Sequence, residues 1–216
     1  HPLSALSSII KTTYKMNKKL ITTVIVAVVI LILFGGGCSS YNGMVDADQA
    51  VQKQWGQVEN QYQRRADLIP NLVNTVKGYA AHESSTLQNV TDARAGLTKA
   101  YNDAQAITPE QAQANIEAYQ QAQSNLKGAL DIYVNAVREA YPDLKANENF
   151  LNLQAQLEGT ENRVSTERQR YNEAVEVYNR KVLRFPGNIF AKLFGFDSKE
   201  MFKAEEGAQR APKVEF

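Results

Sequence analysis

Chemistry needs clustered acids, bases, nucleophiles or metal ligands, and this sequence is poor in the residue types that supply them. It holds two histidines, His1 and His82, and one cysteine, Cys38. His82 is the only imidazole beyond the N-terminal region, and Glu83 beside it points to another side of a helix. A solvated histidine between helices is therefore its plain reading. No Glu-x-x-His pair marks a di-iron helix site, and neither a Gly-rich phosphate loop nor a Gly-x-Ser-x-Gly elbow occurs. One cysteine excludes an internal disulfide and a thiolate metal site. The residue inventory predicts no catalytic, cofactor-binding or metal-binding residue, and a protein that is not an enzyme.

A second set of polar residues stands where apolar ones belong. At about 100° per residue, Arg65 falls within the apolar stripe of a first helix, Arg94 within that of a second, Gln123 within a third and Arg168 within a fourth. If the helices run up and down, all four lie at one level. A charge in such a seam costs on the order of several kcal/mol unless paired, so Glu161, Glu167 or Asp67 should meet these arginines. Arg65, Arg94, Gln123 and Arg168 form a candidate interior polar layer that fixes helix register. An anion site between helices is the functional alternative.

The elements that must position this layer are read from periodicity. Val51, Trp55, Val58, Tyr62, Ile69, Leu72 and Val76 recur at three and four over 46–80, and Gly78 with a Ser85-x-x-Gln88 capping box marks a stop and a restart. Leu87, Val90, Leu97 and Tyr101 place a second helix over 85–105. Thr108 as cap, Pro109 at the first helical position and Gln111 open a third, 109–140, whose seam is apolar except at Gln123. Tyr141-Pro142-Asp143 ends it, and Asn147 or Asn149 caps a fourth over 148–184, where Phe150, Leu157, Val164, Tyr171, Tyr178 and Phe185 lie seven apart. Pro70 inside the first helix predicts a kink or a short break near Arg65 to Pro70, with Asp67 able to cap a new start. No alternating run bounded by turn residues predicts a strand.

Ahead of these helices lies Leu20 to Phe34, which carries no charge and with Gly35 to Gly37 reaches 18 residues, near the lower length for a membrane span. Residues 1–15 read as a leader upstream of a start at Met16, 16–37 as a cytoplasmic stub and transmembrane anchor, and 38–45 as a linker. Lys11, Lys15, Lys18 and Lys19 precede the run, and no basic residue lies between Gly35 and Gln52. That asymmetry places the N-terminus in the cytoplasm and the helices outside it, in the periplasm or at the cell surface. The alternative is a cleaved signal with acylation at Cys38. Gly-Gly-Gly-Cys resembles the end of a lipoprotein signal, although Gly35 stands where an aliphatic residue is usual. The four lysines leave 20 basic against 23 acidic residues, which argues against nucleic acid as a partner.

Stripes on four long helices must be buried on one another. The predicted fold is all-α, an N-terminal transmembrane helix followed by an antiparallel four-helix bundle over 46–184 and a short Phe-rich segment over 185–216. That segment holds six of the eight phenylalanines. Within it Ile189, Phe190, Leu193 and Phe194, opening from Asn188, form a candidate membrane-interface helix; rings that cap the open end of the core are the alternative.

The blocks QYQRRADLIPNLVNTVKGYAAHE (Gln61 to Glu83), NENFLNLQAQLEGTENR (Asn147 to Arg163), RYNEAVEVYN (Arg170 to Asn179), FPGNIFAKLFGF (Phe185 to Phe196) and APKVEF (Ala211 to Phe216) resemble the LemA family of bacterial membrane-anchored proteins. The resemblance implies an N-terminal transmembrane helix, a four-helix bundle and no established enzymatic activity. Family descriptions often place the short N-terminus outside, against the lysine asymmetry here. The expected function is a membrane-anchored scaffold or adaptor of the cell envelope, binding an envelope or membrane protein through faces such as Gln111 to Gln123. The alternative is a membrane-surface or lipid-organising protein acting through its Phe-rich segment. A homo-oligomer is compatible with either.

Overall fold

The computed structural model describes residues 2–80 and 88–204, and no strand occurs among them. The helices are α1 (Pro2–Ala80), α2 (Gln88–Gln105), α3 (Pro109–Ala114), α4 (Ile116–Ala140), α5 (Glu148–Leu183) and α6 (Gly187–Phe194), with a 3-10 turn over Pro142–Ala146. His82, Glu83 and Ser85 lie outside the described residues, as does the APKVEF ending.

Helix starts follow the side chains expected to make them. The Thr108 hydroxyl accepts from Gln111 N at 3.3 Å while Gln111 Oε1 accepts from Thr108 N at 3.0 Å, so both halves of the capping box form. Asn147 caps α5, its Oδ1 accepting from Phe150 N at 3.1 Å. Two features depart from the sequence expectation, and a third narrows it to the alternative without a break. The segment 38–45 is helical within α1 rather than a linker. The three glycines ahead of it and its own Ser, Asn and Gly43 weaken a helix, but no proline interrupts it. Met44 is buried, and Gly37 and Gly43 lie against Phe190 and Lys181, packing that propensity does not show. The helix expected over 109–140 is two helices, because Asn115 leaves helical geometry (φ −144°, ψ 81°) and turns its Oδ1 to Ala118 N at 2.9 Å as the cap of α4. Pro70 does not break α1. Its ring lies on the exposed face between buried Ile69 and Leu72, where it crowds no neighbouring helix, and the helix runs on with one backbone bond fewer.

By internal packing the chain divides into two units, 1–48 with 178–198 and 49–177 with 199–216. In the first, the apolar run of α1 is exposed on all sides, from Leu20 at 64% to Leu31 at 69%. A water-soluble helix of that composition would hide a face; this one is long and apolar enough to cross a membrane. Its two threonines are satisfied within the helix, Thr22 donating to Lys18 O at 2.9 Å and Thr23 to Lys19 O at 3.0 Å, as a hydrocarbon surrounding demands. Near the end of the run the lysine of α5, Lys181, donates to Gly43 O at 2.9 Å, and Tyr178 donates to Asp197 O at 2.9 Å. The chain turns into α6 at Gly187, where a side chain would collide with the Lys181 carbonyl.

In the second unit residues of the predicted stripes are buried: Val51, Trp55, Val58 and Leu72 of α1, Leu126, Tyr133 and Val137 of α4, Phe150, Val164 and Tyr171 of α5. Phe185, expected to continue the last stripe, is instead 80% exposed, because α5 ends at Leu183 before reaching it. Helix α2 packs on α4 through Val90 and Leu97, which join the same apolar cluster as Leu130, Tyr141 and Leu144.

Candidate functional site

Arg65, on the buried side of α1, is 3% exposed. Its guanidinium donates to Glu161 of α5 and, at 3.3 Å, to the Gln123 carbonyl of α4, and it lies 5.4 Å from the centre of the Tyr62 ring. Glu161 is thus the acid that meets it. Asp67 is exposed and accepts from Gln63 at 2.7 Å, and Glu167 pairs with Arg170 at 2.9 Å. Gln123 is buried beside Arg65.

Arg94 does not join them. It is exposed, because Val90, Leu97 and Ala104 centre the buried face of α2, and Arg94 sits roughly 60° away from that centre, where a long side chain reaches water. Arg168 is half-buried and reaches the C-terminal segment instead. The groove of about 550 Å³ beside Arg65 sets Lys127 and Arg138 against Asp131, Glu158 and Glu161; charges so balanced do not select an anion.

The C-terminal segment supplies the most developed arrangement. Phe202 is 5% exposed, stacked on Trp55 at 6.0 Å with planes 4° apart and edge-on to Tyr171 at 5.2 Å. The Arg168 guanidinium lies 5.1 Å from its centre, a cation on a ring face. Trp55 is in turn tilted against Tyr119 at 5.8 Å. Two side-chain amides hold the backbone of the same segment. Asn172 of α5 accepts from Phe202 N at 2.8 Å and donates to Phe202 O at 2.9 Å. Gln120 of α4 accepts from Lys203 N at 3.0 Å and donates to Lys203 O at 2.9 Å. The two amides thus hold neighbouring residues from different helices, Phe202 from α5 and Lys203 from α4. Arg168 adds a bond to Lys203 O at 2.8 Å, Tyr171 OH one to Glu200 O at 3.4 Å, and the Lys203 ammonium pairs with Glu117 at 2.8 Å.

Burial, reinforced by the nearby Glu200 carboxylate, pushes the Tyr171 phenol up to about 12, and burial pushes Tyr133 to about 12 as well. Tyr119 and Tyr178 are raised by burial first, with Tyr62 and Glu59 adding to Tyr119 and Asp48 and Asp197 to Tyr178. A phenol held neutral in the fold contributes stability that is complete below its unfolded pKa and disappears as pH rises through the folded one. Stability should be flat to about pH 10 and fall between there and pH 12, followed by tyrosinate absorbance alongside circular dichroism. Tyrosine ionisation complete before any loss of structure would contradict it.

Of the residues expected at a membrane interface, Ile189 and Leu193 are exposed on α6, whereas Phe190 is half-buried, its ring 3.1 Å from where a Cβ on Gly37 would stand. Phe194 meets the Tyr41 ring at 5.0 Å. Exposed Leu183 and Phe185 extend the outward apolar set. Helix α6 opens at Gly187 rather than Asn188. Cys38 is exposed and free.

Sequence reasoning missed Gln120, Asn172 and the pairing of Trp55 with Phe202. Trp55 stood in an apolar stripe and was read as core. The two amides carried no local signal, since their partners lie 83 and 30 residues away.

Comparison with known proteins gives a consistent result. The family model described as the LemA family matches residues 54–216. Magnetosome protein MamQ 2 of Paramagnetospirillum magneticum is 27% identical over 176 residues, covering 76% of the chain and 64% of that protein. MamQ of Magnetospirillum gryphiswaldense is 25% identical over 175 residues, 75% of the chain and 64% of the relative. Protein LemA of Metamycoplasma hominis is 22% identical over 165 residues, 76% of the chain and 69% of the relative. The chain thus spans somewhat less than two thirds of the MamQ relatives it matches.

Proposed function

The chain belongs to the LemA family, and on that premise we propose that it is a membrane-tethered, non-catalytic helical adaptor of the cell envelope. One observation carries the reading: a single helix, α1, bears both an apolar run exposed on every side and, further along, the buried Trp55 and Arg65. The first part has no aqueous explanation, and the second is the interior of a folded unit. In this proposal the N-terminus is cytoplasmic, because the lysines precede the run, and the rest lies outside. The part of α1 beyond residue 48, with α2, α4 and α5, forms an antiparallel four-helix bundle. Arg65 tying α1 to α4 and α5, and the shared core of α2 and α4, support that arrangement.

Cys38, the lone thiol, reports on tether and orientation together. A membrane-impermeant maleimide added to intact spheroplasts should label it. Labelling only after lysis would reverse the orientation, and an unlabelled cysteine carrying the mass of acyl chains would replace the spanning helix by a lipid. The adaptor role itself is tested by photocrosslinking from exposed Gln121 in native membranes, one recurrent protein adduct being the expected result.

A second reading, a lipid-organising surface, draws on Leu183, Phe185, Ile189 and Leu193, all exposed in the unit that contains the apolar run. Ile189→Trp in a Trp55→Phe background, reconstituted with bromine-labelled lipid, should lose emission by contact quenching if α6 lies in the interface. Unquenched emission would remove this reading.

A further inference from the structure

The aromatic groove of the second unit has the parts of a peptide-recognition site. It reads backbone through two bidentate amides, a ring through Trp55, Tyr171 and Arg168, and a basic side chain through Glu117. None of these interactions depends on the segment being covalently joined to the groove. Main-chain bonds supply affinity for any extended segment, and a pocket for an alternate side chain supplies selectivity. The present occupant, Glu200 to Lys203, is reached through 195–199, which carry no regular secondary structure.

We propose that this groove is a docking site for an extended aromatic–basic segment and that its occupant in trans is Glu200 to Lys203 of a second copy of this chain. The argument for that occupant is complementarity already displayed: the one sequence seen to fit is carried by every copy. Each chain has one groove and one insert, so reciprocal exchange leaves neither empty and closes a two-fold pair. The tethered segment has an effective concentration near its own groove on the order of millimolar or above, since Tyr178 holds Asp197 O at 2.9 Å and Tyr41 meets the Phe196 ring at 5.7 Å, so exchange dominates only where copies are concentrated. Confinement to a membrane plane does that. In this respect the inference rests on the membrane-tethered reading above and deepens it by naming a partner.

Trp55 is the only tryptophan and stacks on the inserted ring, so its emission reports occupancy. The acceptor is the full chain with Phe202→Ala, whose groove is intact and whose insert is not. The donor carries Trp55→Phe, Gln120→Ala and Asn172→Ala, so it is dark, with a disabled groove and an intact insert. Both are reconstituted in the same bilayer. The acceptor alone should emit at longer wavelength and be quenched more readily by acrylamide than the wild type. Adding donor should reverse both changes, whereas donor that also carries Phe202→Ala should not. A synthetic peptide of residues 198–204 should reverse them too. Reversal by peptide but not by donor would overturn the second copy as occupant, and reversal by neither would overturn the groove as a recognition site. If circular dichroism shows Phe202→Ala to be unfolded, Phe202→Leu serves as acceptor with the same outcomes. These results do not involve Gln121 crosslinking or Cys38 labelling, so failure here is distinguishable from failure of the adaptor reading.

Discussion

Replacing Trp55 by alanine should lower the unfolding free energy by about 3–5 kcal/mol, the range for removing a large aromatic from a packed interior. The side chain is among the buried residues and meets three rings, Tyr119, Tyr171 and Phe202, within 6.0 Å. Those rings come from two other helices and the C-terminal segment, so no one of them can move into the vacancy without abandoning its own contacts. For a chain of this size each kcal/mol moves Tm by about 2–4 °C, which makes the loss easy to read in a thermal scan. Trp55→Phe keeps a ring and should cost less. The order of events is also informative. The amides of Phe202 and Lys203, bonded to Asn172 and Gln120, should exchange with solvent faster in Trp55→Ala than in the wild type, because the ring that anchors their segment has lost its stacking partner. Unchanged exchange at both positions would mean that the amides alone hold the segment.

Glu161→Ala should cost about 3 kcal/mol, and the cost should fall mainly on Arg65. A guanidinium that is 3% exposed loses its carboxylate and keeps the Gln123 carbonyl and the face of the Tyr62 ring. Breaking a buried pair from one side costs about 3–5 kcal/mol; Glu161 is 27% exposed, so water recovers part of that and the lower end applies. Arg65→Met with Glu161→Leu removes both charges and should restore much of the stability, as replacement of an ion pair by apolar groups of similar volume commonly does. Arg94→Ala, at an exposed position, should stay within about 0.5 kcal/mol of the wild type. Equal losses at Arg65 and Arg94 would revive a four-membered interior layer; denaturant melts of the single and double variants decide it.

These two experiments separate what was legible in the residue order from what was not. Apolar residues at three- and four-residue spacing identify helices because the period belongs to the backbone itself, and the buried faces of α1, α4 and α5 follow the stripes so read, except at Phe185 beyond the end of α5. Thr108, Gln111 and Asn147 declared their caps because a cap acts within one turn. The uncharged run from Leu20 was equally local, as were the sequence blocks that resemble the LemA family. The same local rules misjudged Asn115, since its side chain could either continue a helix face or cap a new start, and the choice depends on how α3 and α4 pack.

The interior charge shows the other limit. Periodicity put Arg65, Arg94, Gln123 and Arg168 on inward stripes to within one residue's rotation. Whether each is buried depends on where the neighbouring helix lies: Arg65 is enclosed, Arg94 is in water, and Arg168 reaches the C-terminal segment. So by itself the sequence determined most of the helices, the caps at Thr108 and Asn147 and an apolar run suited to a membrane, all properties of residues within a turn or two of each other. Only tertiary structure decided that Glu161 meets Arg65 across 96 positions and that Gln120 meets Lys203 across 83. Such pairings are chosen by packing among whole helices, and no local period encodes them.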